Sequence, residues 1–142
     1  THDQSVTFRH YGLVEIYYIM VVNPCQPLLS LQTLENAVNY FKKGSALSYT
    51  AAVKTGDWVF NSNGEALTIV DKNNVTTNKD ISFFKGCHSF HIINKKLFLK
   101  NGYHWEFKIN DPALILVPEE EVFDVDNMID FEYTENQYIK RL

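Results

Sequence analysis

The cysteine in the run Asn23-Pro24-Cys25-Gln26-Pro27 is the group in this sequence best placed to act as a nucleophile. The run lies between an apolar strand pattern and a helical pattern, so it predicts a turn that holds Cys25 near the head of a helix. Unpaired N–H groups and the helix dipole stabilise negative charge there, which favours the reactive thiolate. Cys25 is therefore a candidate catalytic nucleophile. The same pattern also fits a small, partly buried residue that closes a turn.

Three histidines are candidate general bases for this thiol: His88, His91 and His104. The first two belong to a predicted strand over residues 87–93, in which successive side chains point to opposite faces. His88 and His91 are therefore expected on different faces, and at most one of them is expected to point at Cys25. An enzyme built from these groups would be a thiol hydrolase, either a protease or an amidase.

The same histidines form a candidate metal site with Cys87, because thiolate and imidazole are the ligands that zinc prefers. A gap of two residues between zinc ligands is typical of a turn, whereas a strand separates His88 from His91. The sequence therefore predicts no metal site. It also contains no glycine-rich phosphate-binding motif, so no cofactor is predicted.

The order of a cysteine at a helix head and a histidine on a later strand resembles the papain-like arrangement, including small viral leader proteases and the NlpC/P60 peptidases. Residues 54–60, Lys-Thr-Gly-Asp-Trp-Val-Phe, are similar to the Gly-Asp and apolar strand segment of NlpC/P60 domains. Glu65-Ala66-Leu67 stands where those domains have a histidine, and Gln26 stands where papain-like enzymes usually carry an aromatic residue. The resemblance implies a cysteine hydrolase with Cys25 as its nucleophile.

A second group of side chains is suited to binding rather than to catalysis. Residues 119–126 combine many carboxylates with interleaved apolar side chains, which favours a segment that adds to a partner's sheet or docks on a basic surface. Aromatic residues near position 105 offer a further contact surface. The residues expected to bind are Tyr103, Trp105, Glu119, Glu120, Glu121, Phe123 and Asp124.

Hydrophobic periodicity predicts the elements that position these groups. Residues 14–22 are β-branched and aromatic and predict a central, mostly buried strand. Apolar side chains at spacings of three and four from Leu28 to Phe41 predict one amphipathic helix. Pro27 suits its first turn, and Lys42-Lys43-Gly44 suits its end.

Beyond the helix, short apolar runs alternate with turn residues, which favours antiparallel strands. Asn101-Gly102 meets the positive-φ requirement of a two-residue hairpin and would pair Leu99 with His104. Residues 113–117 predict one more strand. The predicted fold class is α+β, with an antiparallel, strand-rich meander packed on one amphipathic helix.

Length and charge bound the remaining possibilities. The 142 residues, 45% of them hydrophobic, predict a single compact domain over 1–142, with a less ordered acidic tail over 118–142. Thirteen basic against 17 acidic residues give a net charge of −4, which offers no basic surface to nucleic acid. The longest apolar run is far shorter than the roughly 20 residues that span a bilayer, so no membrane partner is predicted.

These features predict a non-catalytic module that binds a protein partner. A viral or phage accessory protein and a toxin-neutralising protein are the suggested settings, and the papain-like hydrolase is the alternative function. The first nine residues lack the apolar core of a signal peptide, so the cytoplasm or the interior of a host cell is the expected location. Two cysteines and a glycosylation acceptor at Asn74 keep an extracytoplasmic setting as the alternative.

Overall fold

The computed structural model describes residues 16–68 and 83–141. Within these ranges the chain forms a four-stranded sheet, three α-helices and one 3-10 helix. Some sequence features lie outside the described residues: the first nine residues, positions 14–15 of the first predicted strand, the turn residues 71–74 and the glycosylation acceptor at Asn74.

The sheet contains both strand orientations. Its strands are β1 (Tyr18–Val22), β2 (Tyr49–Thr55), β3 (Phe83–Asn94) and β4 (Ala113–Leu116), in the spatial order β1-β3-β2-β4. β3 is antiparallel to β1 and β2, whereas β4 is parallel to β2. The α+β class is confirmed, but the purely antiparallel meander is wrong. After β3 the chain crosses to the far side of β2 and enters β4 in the direction of β2.

β1 lies at the edge of the sheet, and the prediction of a central, mostly buried strand is wrong. Its only neighbour in the sheet is β3, and the side chain of Val22 is 41% exposed. The second half of β3 takes the central position, since it pairs with β1 on one side and with β2 on the other. Apolar composition indicated a strand but not the number of its neighbours.

The helices are α1 (Leu31–Lys43), α2 (Lys95–Asn101) and α3 (Met128–Ile139), and Glu119–Glu121 forms the 3-10 helix. α1 is the predicted amphipathic helix, but it begins after Pro27 because Ser30 caps it. The Ser30 hydroxyl accepts a hydrogen bond from the N–H of Thr33 at 3.1 Å. None of the helices in the described ranges is long and apolar enough to cross a membrane.

Asn101-Gly102 ends α2 instead of turning a hairpin. Asn94 caps the start of α2 by accepting a hydrogen bond from the N–H of Leu97, and Gly102, with a φ of 78°, donates to the carbonyl of Phe98 at its end. A positive φ suits a helix C-terminus as well as a type I′ turn, so the dipeptide alone does not decide between them. The predicted hairpin is therefore wrong.

α1 covers one face of the sheet, and the core lies between them. Ala37 of α1 is fully buried in a cluster with Tyr49, Phe90 and other side chains of the sheet. Tyr49 is 1% exposed, its ring contacts that of Phe41 at 5.6 Å, and its hydroxyl accepts a hydrogen bond from the N–H of Ala46 at 3.0 Å. Tyr49 thus fixes the chain that leaves α1 against the start of β2.

A Gly44→Ala substitution is expected to destabilise the fold by about 1–3 kcal/mol, because the added methyl group would overlap the hydroxyl of Tyr49. The Tyr49 ring is held by its neighbours and cannot move aside without breaking core contacts. Gly86→Ala is the matched control, since nothing lies within 4 Å of its new Cβ. Urea unfolding of both variants checks this, and equal stabilities would contradict the packing around Tyr49.

Candidate functional site

Three strands of the sheet run in one direction and end at the same edge. β1 and β2 are both antiparallel to β3, and β4 is parallel to β2. Residues 23–27 follow β1, residues 56–57 follow β2, and residues 117–126 follow β4. We call these three segments the carboxyl edge. In open sheets of mixed α/β proteins, ligands bind beyond the carboxyl ends of the strands, so this edge is the first candidate site.

At the carboxyl edge, the acidic segment is hydrogen-bonded to the loop after β1. The N–H of Val125 donates to the carbonyl of Cys25 at 2.9 Å. The Asn23 amide nitrogen lies 3.5 Å from Asp124 Oδ1, and the Asn23 amide oxygen accepts a hydrogen bond from the N–H of Cys25 at 2.9 Å. Asp124 and Cys25 are both exposed, so a carboxylate, a carboxamide and a thiol converge at the end of β1.

A cleft of about 530 Å³ opens between the ends of β2 and β4 at the same edge. Its lining includes the charged residues Lys54, Asp57 and Glu119. The hydroxyl of Thr55 donates to Asp57 Oδ2 at 2.7 Å and so holds this carboxylate in place. The volume falls within the roughly 300–1,000 Å³ that is typical of small-molecule sites.

The chain beyond β4 is tied to the start of α1. Glu121 Oε2 accepts a hydrogen bond from the N–H of Ser30 at 3.0 Å. The guanidinium of Arg141 donates to the carbonyls of Leu28 and Glu120, each at 2.8 Å. Glu121 therefore has a structural role at the head of α1, although the sequence predicted it as a binding residue.

β3 contains a bulge opposite the middle of β2. The pairing on β3 jumps from His91 to Gly86, while β2 advances only from Thr50 to Ala52. His88 lies in this bulge with a φ of 54°. Positive φ is uncommon outside glycine, although histidine tolerates it better than most residues. Bulges redirect side chains, and this one does so next to the loop after β1.

Gln26 fastens the loop after β1 to this bulge. Its side chain is 4% exposed, its Nε2 donates to the carbonyl of Cys87 at 2.8 Å, and its Oε1 accepts from the hydroxyl of Ser89 at 2.5 Å. The N–H of Asn23 donates to the carbonyl of Ser89 at 2.9 Å. A buried carboxamide needs partners at both ends, and Gln26 finds them in the bulge. Sequence reasoning missed this role, and the only signal was a polar residue directly before Pro27 and an apolar stretch.

The bulge also brings the three histidines together in a cluster with Trp105. Nδ1 of His88 lies 3.4 Å from Nε2 of His91. The ring of His91 stacks on that of His104 at 5.7 Å and contacts Trp105 at 4.9 Å. Nδ1 of His91 lies 2.8 Å from the hydroxyl oxygen of Thr50. The expectation that His88 and His91 lie on opposite faces is wrong, because alternation holds only in a regular strand.

The side-chain contacts of the thiols and the imidazoles are separate. Cys25 and Cys87 are both free, and the Cys87 sulfur lies 3.3 Å from the hydroxyl oxygen of Ser89. α1 begins at Leu31, more than one turn beyond Cys25, whereas the effect of a helix dipole falls off within the first turn. The catalytic pairing of Cys25 with one of the three histidines stays a prediction.

The remaining predicted binding residues fall into two places. Phe123 packs on Tyr133 of α3 with ring centroids 4.7 Å apart, while Glu119 and Glu120 are exposed near the carboxyl edge. Trp105 belongs to the histidine cluster, and the neighbouring Tyr103 is 51% exposed. The structure therefore brings Glu119 and Asp124 to the carboxyl edge and leaves the aromatic residues near position 105 elsewhere.

Two solved structures resemble this protein over nearly its whole described length. One is 4-diphosphocytidyl-2C-methyl-D-erythritol synthase from Anaerococcus prevotii, with a TM-score of 0.62, 16% identity, and coverage of 99% of this chain and 67% of that chain. The chain shares its fold. The second is the bifunctional IspDF from Campylobacter jejuni, with a TM-score of 0.57, 16% identity, and coverage of 91% of this chain and 33% of that one.

The chain therefore spans about two thirds of the first enzyme and about one third of the second. At this level of identity the likeness shows the fold alone. No protein-family model matches the sequence, and no curated protein matches it.

A Gln26→Leu substitution is expected to lower the free energy of unfolding by about 2 kcal/mol, because leucine keeps the volume but leaves the Cys87 carbonyl and the Ser89 hydroxyl unpaired. Gln32→Leu is the control, since Gln32 is exposed on α1. The control is expected to change stability by less than about 0.5 kcal/mol. Urea titrations measure both variants, and similar effects would contradict the role of Gln26.

The stability of the protein is expected to fall with pH because of His91. Burial, followed by repulsion from His104 and His88, lowers the pKa of His91 from 6.5 to about 4. The unfolded state therefore binds a proton at His91 that the folded state does not, and the stabilisation present above pH 6.5 is lost as pH falls towards 4. His91→Gln is expected to flatten this slope in urea titrations at several pH values. An unchanged slope would contradict the assignment.

Proposed function

We propose that this chain is part of a nucleotidyltransferase, which moves a nucleotidyl group from a nucleoside triphosphate to an acceptor oxygen. In that reaction the acceptor oxygen forms a bond to the α-phosphorus, the bond between the α- and β-phosphates breaks, and pyrophosphate leaves. Support comes from the fold shared with a synthase of a diphosphocytidyl compound over 99% of this chain. The observation that carries the proposal is the junction of Asp124 with the loop after β1.

The carboxyl edge offers the chemistry that a triphosphate requires. Transfer of a phosphoryl or nucleotidyl group depends mainly on positioning and on neutralising charge, which Mg²⁺ supplies in most such enzymes. Carboxylate oxygens suit Mg²⁺, and Asp124 and Asp126 present exposed carboxylates on either side of Val125. The bond from Val125 to the Cys25 carbonyl anchors both of them, so they fit a site for a magnesium–nucleotide complex.

The cleft between β2 and β4 supports the same function from the other side of this edge. Lys54 lines it and provides an ammonium group that can bind a phosphate. Glu119 lines it from the segment that continues to Asp124. A ligand held here would lie between the carboxyl ends of strands that run in the same direction, where open sheets bind nucleotides.

Binding of nucleoside triphosphates to this chain tests the proposal. Isothermal titration with CTP, ATP, GTP and UTP in excess Mg²⁺ is expected to show binding of at least one of them, with CTP tested first. Asp124→Asn is expected to weaken that binding by about tenfold or more, because one magnesium ligand loses its charge. The binding is expected to disappear when EDTA replaces Mg²⁺.

The matched control is Glu135→Gln, which removes the same charge from an exposed position on α3. This variant is expected to bind the nucleotide as the unmodified chain does. The proposal would be overturned if none of the four nucleotides bound. It would also be overturned if Asp124→Asn and Glu135→Gln bound equally well.

The non-catalytic binding function predicted from the sequence remains a second proposal. The observation that favours it is the apolar surface of α3, where Met128 is 69% exposed and Ile129 is 77% exposed. Contiguous exposed apolar side chains of this size are typical of protein contact surfaces. The acidic residues along α3 add selectivity for a basic partner.

A further inference from the structure

The pair formed by His88 and His91 has the geometry of two ligands of one metal ion. Their Nδ1 and Nε2 atoms are 3.4 Å apart. Two nitrogens at about 2.0–2.1 Å from a tetrahedral zinc ion are separated by roughly 3.3 Å. We propose that His88 and His91 bind one borderline divalent transition-metal ion, such as Zn²⁺, Ni²⁺ or Cu²⁺, with water in the remaining positions.

The second nitrogen of His91 is arranged as it is in metal-binding histidines. Its Nδ1 lies 2.8 Å from the hydroxyl oxygen of Thr50, which can accept the N–H of this nitrogen. A histidine that donates one N–H in this way has its ring fixed and keeps the lone pair on its other nitrogen for the metal. Because the pKa of His91 is lowered by burial and by its histidine neighbours, the ring is neutral at pH 7 and this lone pair is available.

The bulge in β3 presents the two ligands together and leaves one of them accessible. His88 is exposed, so an ion can reach it from solvent. Its positive φ turns it towards His91, and the Gln26 bonds to Cys87 and Ser89 hold the surrounding backbone in that conformation. The geometry is thus set by the fold and does not depend on the metal.

The ligand chemistry selects the class of ion. Imidazole nitrogens suit Zn²⁺, Ni²⁺ and Cu²⁺, whereas Mg²⁺ and Ca²⁺ require oxygen ligands. Within residues 16–68 and 83–141, no group of three His, Cys, Asp or Glu side chains converges to hold an ion. The site therefore has two protein ligands, and we expect an exchangeable ion with an affinity in the order Cu²⁺ above Ni²⁺ and Zn²⁺.

Titration of the folded protein with ZnCl₂, NiCl₂ and CuCl₂ by calorimetry tests this site. We expect one ion per chain at pH 7.5, with binding that weakens as pH falls because protons compete for the nitrogens. His88→Gln and His91→Gln are each expected to weaken it by about tenfold or more. His104→Gln is the control and is expected to keep the affinity within about threefold, since His104 stacks on His91 and is not a ligand.

The Cu²⁺ complex gives a second readout that does not depend on affinity. Paramagnetic Cu²⁺ is expected to broaden the NMR signals of the His88 and His91 rings before those of other residues. The absence of binding by all three ions would overturn the proposal and leave a hydrogen bond as the only interaction between the two rings. Binding that survives His88→Gln would also overturn it, because the ion would then lie elsewhere. Neither result bears on nucleotide binding at the carboxyl edge.

Discussion

The buried carboxamide of Gln26 joins two parts of the chain that lie 61 and 63 residues apart. The bulge interrupts the ladder between β2 and β3, and the Cys87 carbonyl and the Ser89 hydroxyl find their partners in Gln26. The same loop carries Asn23 and Cys25, which contact the acidic segment. The bulge, the loop after β1 and the position of Asp124 therefore depend on one side chain.

The two candidate sites use different chemistry and lie in different parts of the structure. The carboxyl edge collects oxygen ligands, exposed carboxylates and a lysine, which suit a magnesium–nucleotide complex. The histidine cluster offers neutral imidazole nitrogens beside Thr50 and Trp105, which suit a borderline metal ion. Ligand occupancy of one site does not require the other. A protein with this fold can thus bind a nucleotide at the ends of its strands and carry a separate ion on β3.

Sequence patterns predicted α1 and the strand at 113–117 because hydrophobic spacing reports which residues face a core. They failed where one local pattern fits two structures: Asn101-Gly102 closes α2 as well as it would close a hairpin. They also placed His88 and His91 on opposite faces, because a bulge depends on distant partners and leaves no mark in local alternation. Cys25 and Asp124 were both singled out, but their proximity follows from tertiary contacts alone.

The measurement that tests this account most directly is the nuclear Overhauser effect between the ring protons of His88 and His91. With ring centroids 5.4 Å apart, the account predicts a cross-peak between the two rings, together with cross-peaks from the Gln26 side-chain amide to residues 87–89. Gln26→Leu is expected to weaken the histidine cross-peak, because the bulge loses its support. A spectrum in which His88 contacts the side chains around Phe90 and not His91 would show a regular strand and contradict the account.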